Sequence, residues 1–146
     1  MKCVYVLNGP NLNLLGMREP ATYGAATLAD VEEGLRATCT AAQVELVFRQ
    51  SNHEGDLVSW IQEAGQKRCP VILNAGAYTH TSVAVHDAIR GADAHVIEVH
   101  ISNVFARESF RHHSTISPVA KGILVGFGTA GYHLALQSLL LNQTKS

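Results

Sequence analysis

Two pairs of residues in this chain could move protons. Glu98-Val99-His100 sets a carboxylate and an imidazole two positions apart, and an extended strand puts both on one side. A carboxylate beside an imidazole orients the ring and stabilises the imidazolium, which suits a histidine that gives a proton to a leaving group. A structural ion pair would read the same way. The second pair is Arg18 and Tyr23, in one loop. A phenol, with a pKa of about 10, acts as a base near neutrality only where a neighbouring cation stabilises its phenolate, and Arg18 could be that cation. The plainer reading is a surface arginine and a packing tyrosine.

Other stretches could hold a ligand. Asn74-Ala75-Gly76-Ala77-Tyr78-Thr79-His80-Thr81-Ser82 brings small residues and hydroxyls to the start of a helix. Backbone amides exposed there suit a carboxylate or hydroxylated ligand, unless Thr81 or Ser82 simply caps the helix. Arg107-Glu108-Ser109-Phe110-Arg111-His112-His113-Ser114 supplies guanidinium groups that can grip a carboxylate in bidentate fashion, or else forms a solvated charged face. Gly126-Phe127-Gly128-Thr129-Ala130-Gly131 matches G-x-G-x-x-G, yet only 15 residues follow it and none is acidic. A dinucleotide fingerprint needs a further strand and an acidic residue about 20 positions on, so a tight strand-to-helix turn is expected instead. The 8 histidines contain neither an H-x-x-x-H pair nor H-E-x-x-H, and no metal site is predicted. A serine-hydrolase elbow and a P-loop are also absent from the sequence.

These groups need a frame to position them. Short runs rich in β-branched residues, Lys2 to Leu7, Val44 to Arg49, Pro70 to Leu73, His95 to Val99 and Ile123 to Phe127, read as strands buried on both faces. Between them lie stretches with helical spacing. Leu28, Val31, Leu35 and Cys39 form one stripe behind a Thr27 cap with Asp30 three residues on; Leu57, Trp60, Ile61 and Ala64 form another. Ser82 to Arg90, closed by Gly91, and Tyr132 to Leu141 complete the set. Strands alternating with helices predict an α/β fold: a five-stranded parallel sheet with helices on both faces. Ligands of such sheets bind beyond the carboxyl ends of the strands, which is where every stretch named above falls. The connections 8–26 and 102–119 are long enough to be binding loops or lids.

Composition narrows the partners. With 146 residues, 47% hydrophobic and 16% charged, the chain predicts one domain over 1–146 rather than a disordered segment. Lys and Arg number 11 against 12 Asp and Glu, which disfavours nucleic acid and anionic membranes as partners. No apolar run approaches the ~20 residues of a membrane span, and Met1-Lys2 leads straight into the first strand without a signal peptide, so a cytoplasmic location is expected. Cys3, Cys39 and Cys69 are odd in number and widely spaced, and buried thiols are expected in preference to a disulfide or zinc.

Taken together, five motifs resemble type II 3-dehydroquinate dehydratase. They are Asn8 to Gly16 with Arg18-Glu19-Pro20 and Tyr23-Gly24; Gln50-Ser51-Asn52-His53-Glu54-Gly55; Asn74 to Ser82; Glu98 to Asn103; and Phe110 to Ser114. The resemblance implies a flavodoxin-like three-layer fold and conversion of 3-dehydroquinate to 3-dehydroshikimate in the shikimate or quinate pathway, without metal or cofactor. It implies Tyr23 as the base, Arg18 as its activator on a lid, and Asn11, through a water, as the stabiliser of an enolate. His100 would be the acid, supported by Glu98. Asn74, His80, Ile101, Ser102 and Arg111 would bind substrate, and Asp87 would reach a neighbouring subunit's site in a dodecamer built from trimers. Phe105, Thr129 and His86 depart from residues common in the family, at positions outside the catalytic set. The rival from another class is a flavodoxin-like module for a flavin or other phosphate-bearing ligand, which the glycine-rich turn at 126–131 would favour.

Overall fold

A computed structural model of the chain describes residues 1–17 and 24–143. The expectations placed on Arg18 and Tyr23 therefore lie outside the described residues. Five strands alternate with four helices: β1 (Cys3–Asn8), α1 (Leu28–Ala41), β2 (Glu45–Gln50), α2 (Glu54–Lys67), β3 (Val71–Asn74), α3 (Val83–Gly91), β4 (Val96–His100), β5 (Gly122–Val125) and α4 (Ala130–Gln143). The sheet is parallel throughout, in the order β2-β1-β3-β4-β5.

Alternation along the strands builds a core on each face. Tyr5, Leu7, Val71, Leu73 and Val96 meet Leu57, Ile61 and Ala64 of α2 and Val85 and Ile89 of α3. Val4, Val6, Ile72, Ile97 and Val99 point the other way, onto Val31, Leu35 and Cys39 of α1 and Tyr132, Ala135, Leu136 and Leu139 of α4. The result is three layers, helices over a sheet over helices, as the alternating pattern requires. Burial on both faces holds for the central β1, β3 and β4 but not for the edges: Ile123 in β5 is 48% exposed, because an edge strand has a neighbour on one side only.

Four strands run one residue beyond the apolar stretch that predicts them. Asn8, Gln50, Asn74 and His100 each close a strand, since the backbone ladder continues past the last apolar side chain: the Gly9 amide donates to the Asn74 carbonyl (2.8 Å), and the Ser51 amide to that of Asn8 (3.0 Å). Polar residues are thereby fixed at the carboxyl edge by sheet geometry. Only β5 stops early, at Val125, where Gly126 (φ 90) and Gly128 (φ 63) take the left-handed conformations that turn the chain into α4. The glycine-rich stretch is thus a structural turn.

Caps set the helix starts. Thr27 and Asp30 form a reciprocal box, with the Asp30 amide donating to the Thr27 hydroxyl oxygen (3.1 Å) and the Thr27 amide to the Asp30 carboxylate (2.9 Å). Ser82, rather than Thr81, caps α3 by accepting from the Val85 amide. α3 runs one residue further than expected, to Gly91 itself, and the left-handed turn beyond it is made by Asp93 (φ 50).

The cysteine expectation is corrected. Cys3 and Cys69 form a disulfide, with Cα atoms 5.3 Å apart, and Cys39 alone is a buried thiol. Parallel pairing of β1 with β3 aligns Tyr5 with Val71, so Cys3 falls beside Cys69 across 66 positions of sequence. That register is invisible in the spacing of the cysteines. Among the described residues no helix is long and apolar enough to cross a membrane.

Candidate active site

In a 2-1-3-4-5 sheet the connections leaving β1 and β3 diverge to opposite faces, and the crevice between them is where a ligand fits. A cavity of about 320 Å³ opens there. Its walls come from Pro10 to Gly16 beyond β1, from Asn74, Gly76, Ala77 and His80 beyond β3, and from His100 to Ser102, Arg107 and Arg111 beyond β4. Close approach of the first two walls depends on Gly9, where a Cβ would collide with the Ala75 carbonyl.

The proton-handling pair lies at the end of β4. Glu98 is 1% exposed and His100 lines the cavity; their side chains share a face, and His100 Nε2 lies 2.5 Å from Glu98 Oε2. Burial alone would push the Glu98 carboxyl up. Hydrogen bonds from His100, Ser117 and Ser114, together with the charge attraction of His100, outweigh it and hold the group below the ordinary carboxylate value. An ionised carboxylate only accepts, so Nε2 carries its hydrogen in either charge state of the ring. Nδ1 is therefore the nitrogen that gains and loses a proton.

Beyond β3, His80 sits with its ring stacked on that of His100, centroids 6.5 Å apart. Its Nδ1 lies 2.8 Å from the His113 carbonyl, which can only accept, so Nδ1 holds a hydrogen and Nε2 of the neutral ring is an acceptor. Arg111 donates through Nε to both oxygens of Glu108, leaving its terminal nitrogens to a ligand, and Arg107 donates to the Ser102 hydroxyl (3.3 Å). The cavity is therefore cationic on the β4 side and amide-rich on the β1 side. Asn11 has a left-handed backbone (φ 69); its backbone N–H donates to Asn52 Oδ1 (3.0 Å), and its side chain caps nothing in the short turn it precedes.

Beneath the Asn74 wall runs a buried polar chain. The Asn8 amide donates to the Arg49 carbonyl (3.2 Å), the Tyr132 hydroxyl to Asn8 Oδ1 (2.7 Å), the Asn74 amide to the Tyr132 oxygen (3.0 Å), and the Gly76 backbone amide to Asn74 Oδ1 (3.2 Å). Backbone groups of unambiguous polarity end it on both sides, so every bond between has one possible direction. Burial pushes the Tyr132 phenol far above its ordinary value against the lowering effect of the Asn74 bond, and the group stays protonated as the chain demands.

Of the residues singled out in the sequence, Asn11, Asn74, His80, His100, Ile101, Ser102 and Arg111 come together around the cavity, with Glu98 behind His100. Asp87 does not join them; it is exposed on α3, away from the lining. Sequence reading missed Ser117 and Tyr132, whose partners lie 19 and up to 124 positions away. Among the described residues no three His, Cys, Asp or Glu side chains cluster as metal ligands would.

Comparison with known proteins gives a consistent result. The family model described as dehydroquinase class II matches residues 2–140. A protein of Brucella canis named 3-dehydroquinate dehydratase is 61% identical over 138 residues, covering 94% of this chain and 88% of that one; one from Brucella melitensis biotype 1, with the same name and coverage, is 60% identical. The crystal structure of type II dehydroquinase from Propionibacterium acnes superposes with a TM-score of 0.90 at 42% identity, over 95% of this chain and 96% of that one. A 3-dehydroquinate dehydratase-like protein from Bifidobacterium longum matches with a TM-score of 0.68 at 29% identity, over 94% of each chain.

Proposed function

From the premise that this chain belongs to the class II dehydroquinase family, we propose that it removes water from 3-dehydroquinate to give 3-dehydroshikimate by way of an enolate. The observation that carries the reading is the Glu98–His100 pair opening into a cavity with Arg107 and Arg111 on its wall: an acid placed beside groups that hold a carboxylate.

In this reading Tyr23 takes the proton from the carbon next to the ketone, with Arg18 stabilising its phenolate. Negative charge then develops on the ketone oxygen, where Asn11, acting through a water, stabilises it as an enolate. Collapse of the enolate expels the tertiary hydroxyl, which receives the proton held on His100 Nδ1. Glu98 keeps the imidazole oriented throughout. Arg111 and Ser102 grip the substrate carboxylate, while His80 and Asn74 take its hydroxyls and Ile101 packs against its ring. A proton beside a ketone is acidic enough for a base, an enolate stabiliser and an acid to suffice, and we assign the reaction no metal or cofactor.

Appearance of the conjugated enone absorbance from 3-dehydroquinate tests the reading. The expected result is a steady rise, unchanged by excess chelator; no rise at all would sink the function, and loss under chelator the metal-free claim. The proposed setting is the shikimate or quinate pathway of the cytoplasm, with no nucleic acid or membrane partner. A dodecamer built from trimers is proposed for the assembly, supported by exposed Val83, Phe105 and Phe110. Asp87 on α3 would then extend to the site of a neighbouring subunit.

A further inference from the structure

Most of the hydrogen bonding to Glu98 comes from outside its own strand. Oε1 accepts from the Ser117 hydroxyl (2.6 Å), and Oε2 accepts from the Ser114 hydroxyl (2.9 Å) as well as from His100. Both serines belong to the segment that follows Arg111. The Ser114 oxygen also accepts the amides of Ile116 (3.1 Å) and Ser117 (3.0 Å), and Ile116 is fully buried, so the turn has little freedom. Among the described residues, the flanking strands set Leu73 and Ile123 opposite Glu98, and the other charged or titratable side chains lining the cavity beside His100 are His80, Arg107 and Arg111.

A carboxylate buried this deeply with imidazole as its sole donor has an alternative. The shared proton can settle on the carboxylate, leaving neutral acid and neutral imidazole, and no imidazolium remains to protonate a leaving group. Hydroxyl donors stabilise the anion alone and remove that alternative. We infer that Ser117 and Ser114 are positioning residues for the general acid: their hydroxyls hold Glu98 in one place as an anion, so that the proton of the pair stays on His100. The inference rests on the proposed role of His100 as the acid. It also ties that acid to the segment bearing Arg111, so the residues that grip the carboxylate and those that set the acid are seated together.

Ser117→Ala is the direct test, because the Ser117 hydroxyl bonds to Glu98, and Ser117→Thr keeps that hydroxyl. Two quantities are measured: kcat and KM for 3-dehydroquinate, and the titration of Glu98 followed by the infrared carbonyl band of its protonated form, with Glu98→Gln as the blank. For Ser117→Ala the expected result is a loss of about tenfold in kcat with KM near that of the unsubstituted protein. The carboxyl band should emerge at higher pH, and Ser117→Thr should restore both. An unchanged kcat in Ser117→Ala, or a fallen kcat with an unmoved titration, would overturn the inference. Should Ser117→Ala fail to fold, Ser114→Ala carries the same pair of readouts. Absence of turnover in the unsubstituted protein would overturn the functional reading and this inference together, whereas the other outcomes overturn this inference alone.

Discussion

Glu98 links stability to pH through a single side chain. Its carboxyl is held below the ordinary value of 4.5, so its stabilising contribution is complete above that value and is lost as pH falls through the lower folded-state value. Urea unfolding of the native protein and of Glu98→Gln should accordingly differ most near neutrality and converge as pH falls below the ordinary carboxylate range; a gap independent of pH would contradict the linkage. Tyr23 and Arg18 make the complementary kinetic prediction. Tyr23→Phe keeps the ring but removes the proposed base, and should lower kcat by about 10² to 10⁴ while leaving substrate affinity nearly intact. Arg18→Ala withdraws the charge proposed to stabilise that phenolate, so the acid limb of the kcat profile should move to higher pH. Near-normal turnover in the first variant or an unmoved limb in the second would remove those roles. Glu98 and His100 are legible in sequence because each is the other's near partner: two positions apart, they share a strand face. Ser117 is not, because a serine two positions before a loop valine looks like any turn residue until the fold lays it on a carboxylate 19 positions back.

Among the elements, α4 contributes more than packing. Tyr132 reaches from it to Asn8 at the end of β1 and Asn74 at the end of β3, fastening a helix to the two strands that frame the cavity. Tyr132→Phe would strand a buried acceptor and a buried donor, at a cost of about 2–4 kcal/mol in unfolding free energy by denaturant titration. A cost under about 0.5 kcal/mol would show that the chain of bonds contributes little. In the same helical layer, Thr27→Ala should cost about 1 kcal/mol by removing one half of the α1 cap. Element types and order were readable from pattern, since β1, β3 and β4 are buried on both faces and α1, α2 and α3 carry clear apolar stripes. The ends were less readable. Apolar runs stop short of the strand ends, whereas the ladder continues to Asn8, Gln50, Asn74 and His100, and two of those extra residues, Asn74 and His100, line the cavity.

For the molecule as a whole, the cysteines mark what only topology reveals. The Cys3–Cys69 bond lies near the amino ends of β1 and β3, at the opposite edge of the sheet from the cavity. Closing a loop of 66 positions is worth about 4 kcal/mol in the chain-entropy account, so a reductant should lower the melting temperature while leaving kcat unchanged. An unchanged melting temperature would mean that folding gains nothing from the bond. A light-scattering mass measures the assembly, and a stable monomer would remove the role proposed for Asp87. The buried polar chain from Arg49 to Gly76 carries a different kind of consequence. Its bonds all run one way between fixed backbone ends, so no single replacement at Asn8, Asn74 or Tyr132 can reverse or shorten it without stranding a neighbour. Three positions scattered across the gene are thereby bound to one fate. A change at one of them should be recovered only by a matched change at its neighbours, so double-variant cycles across the trio should be strongly non-additive.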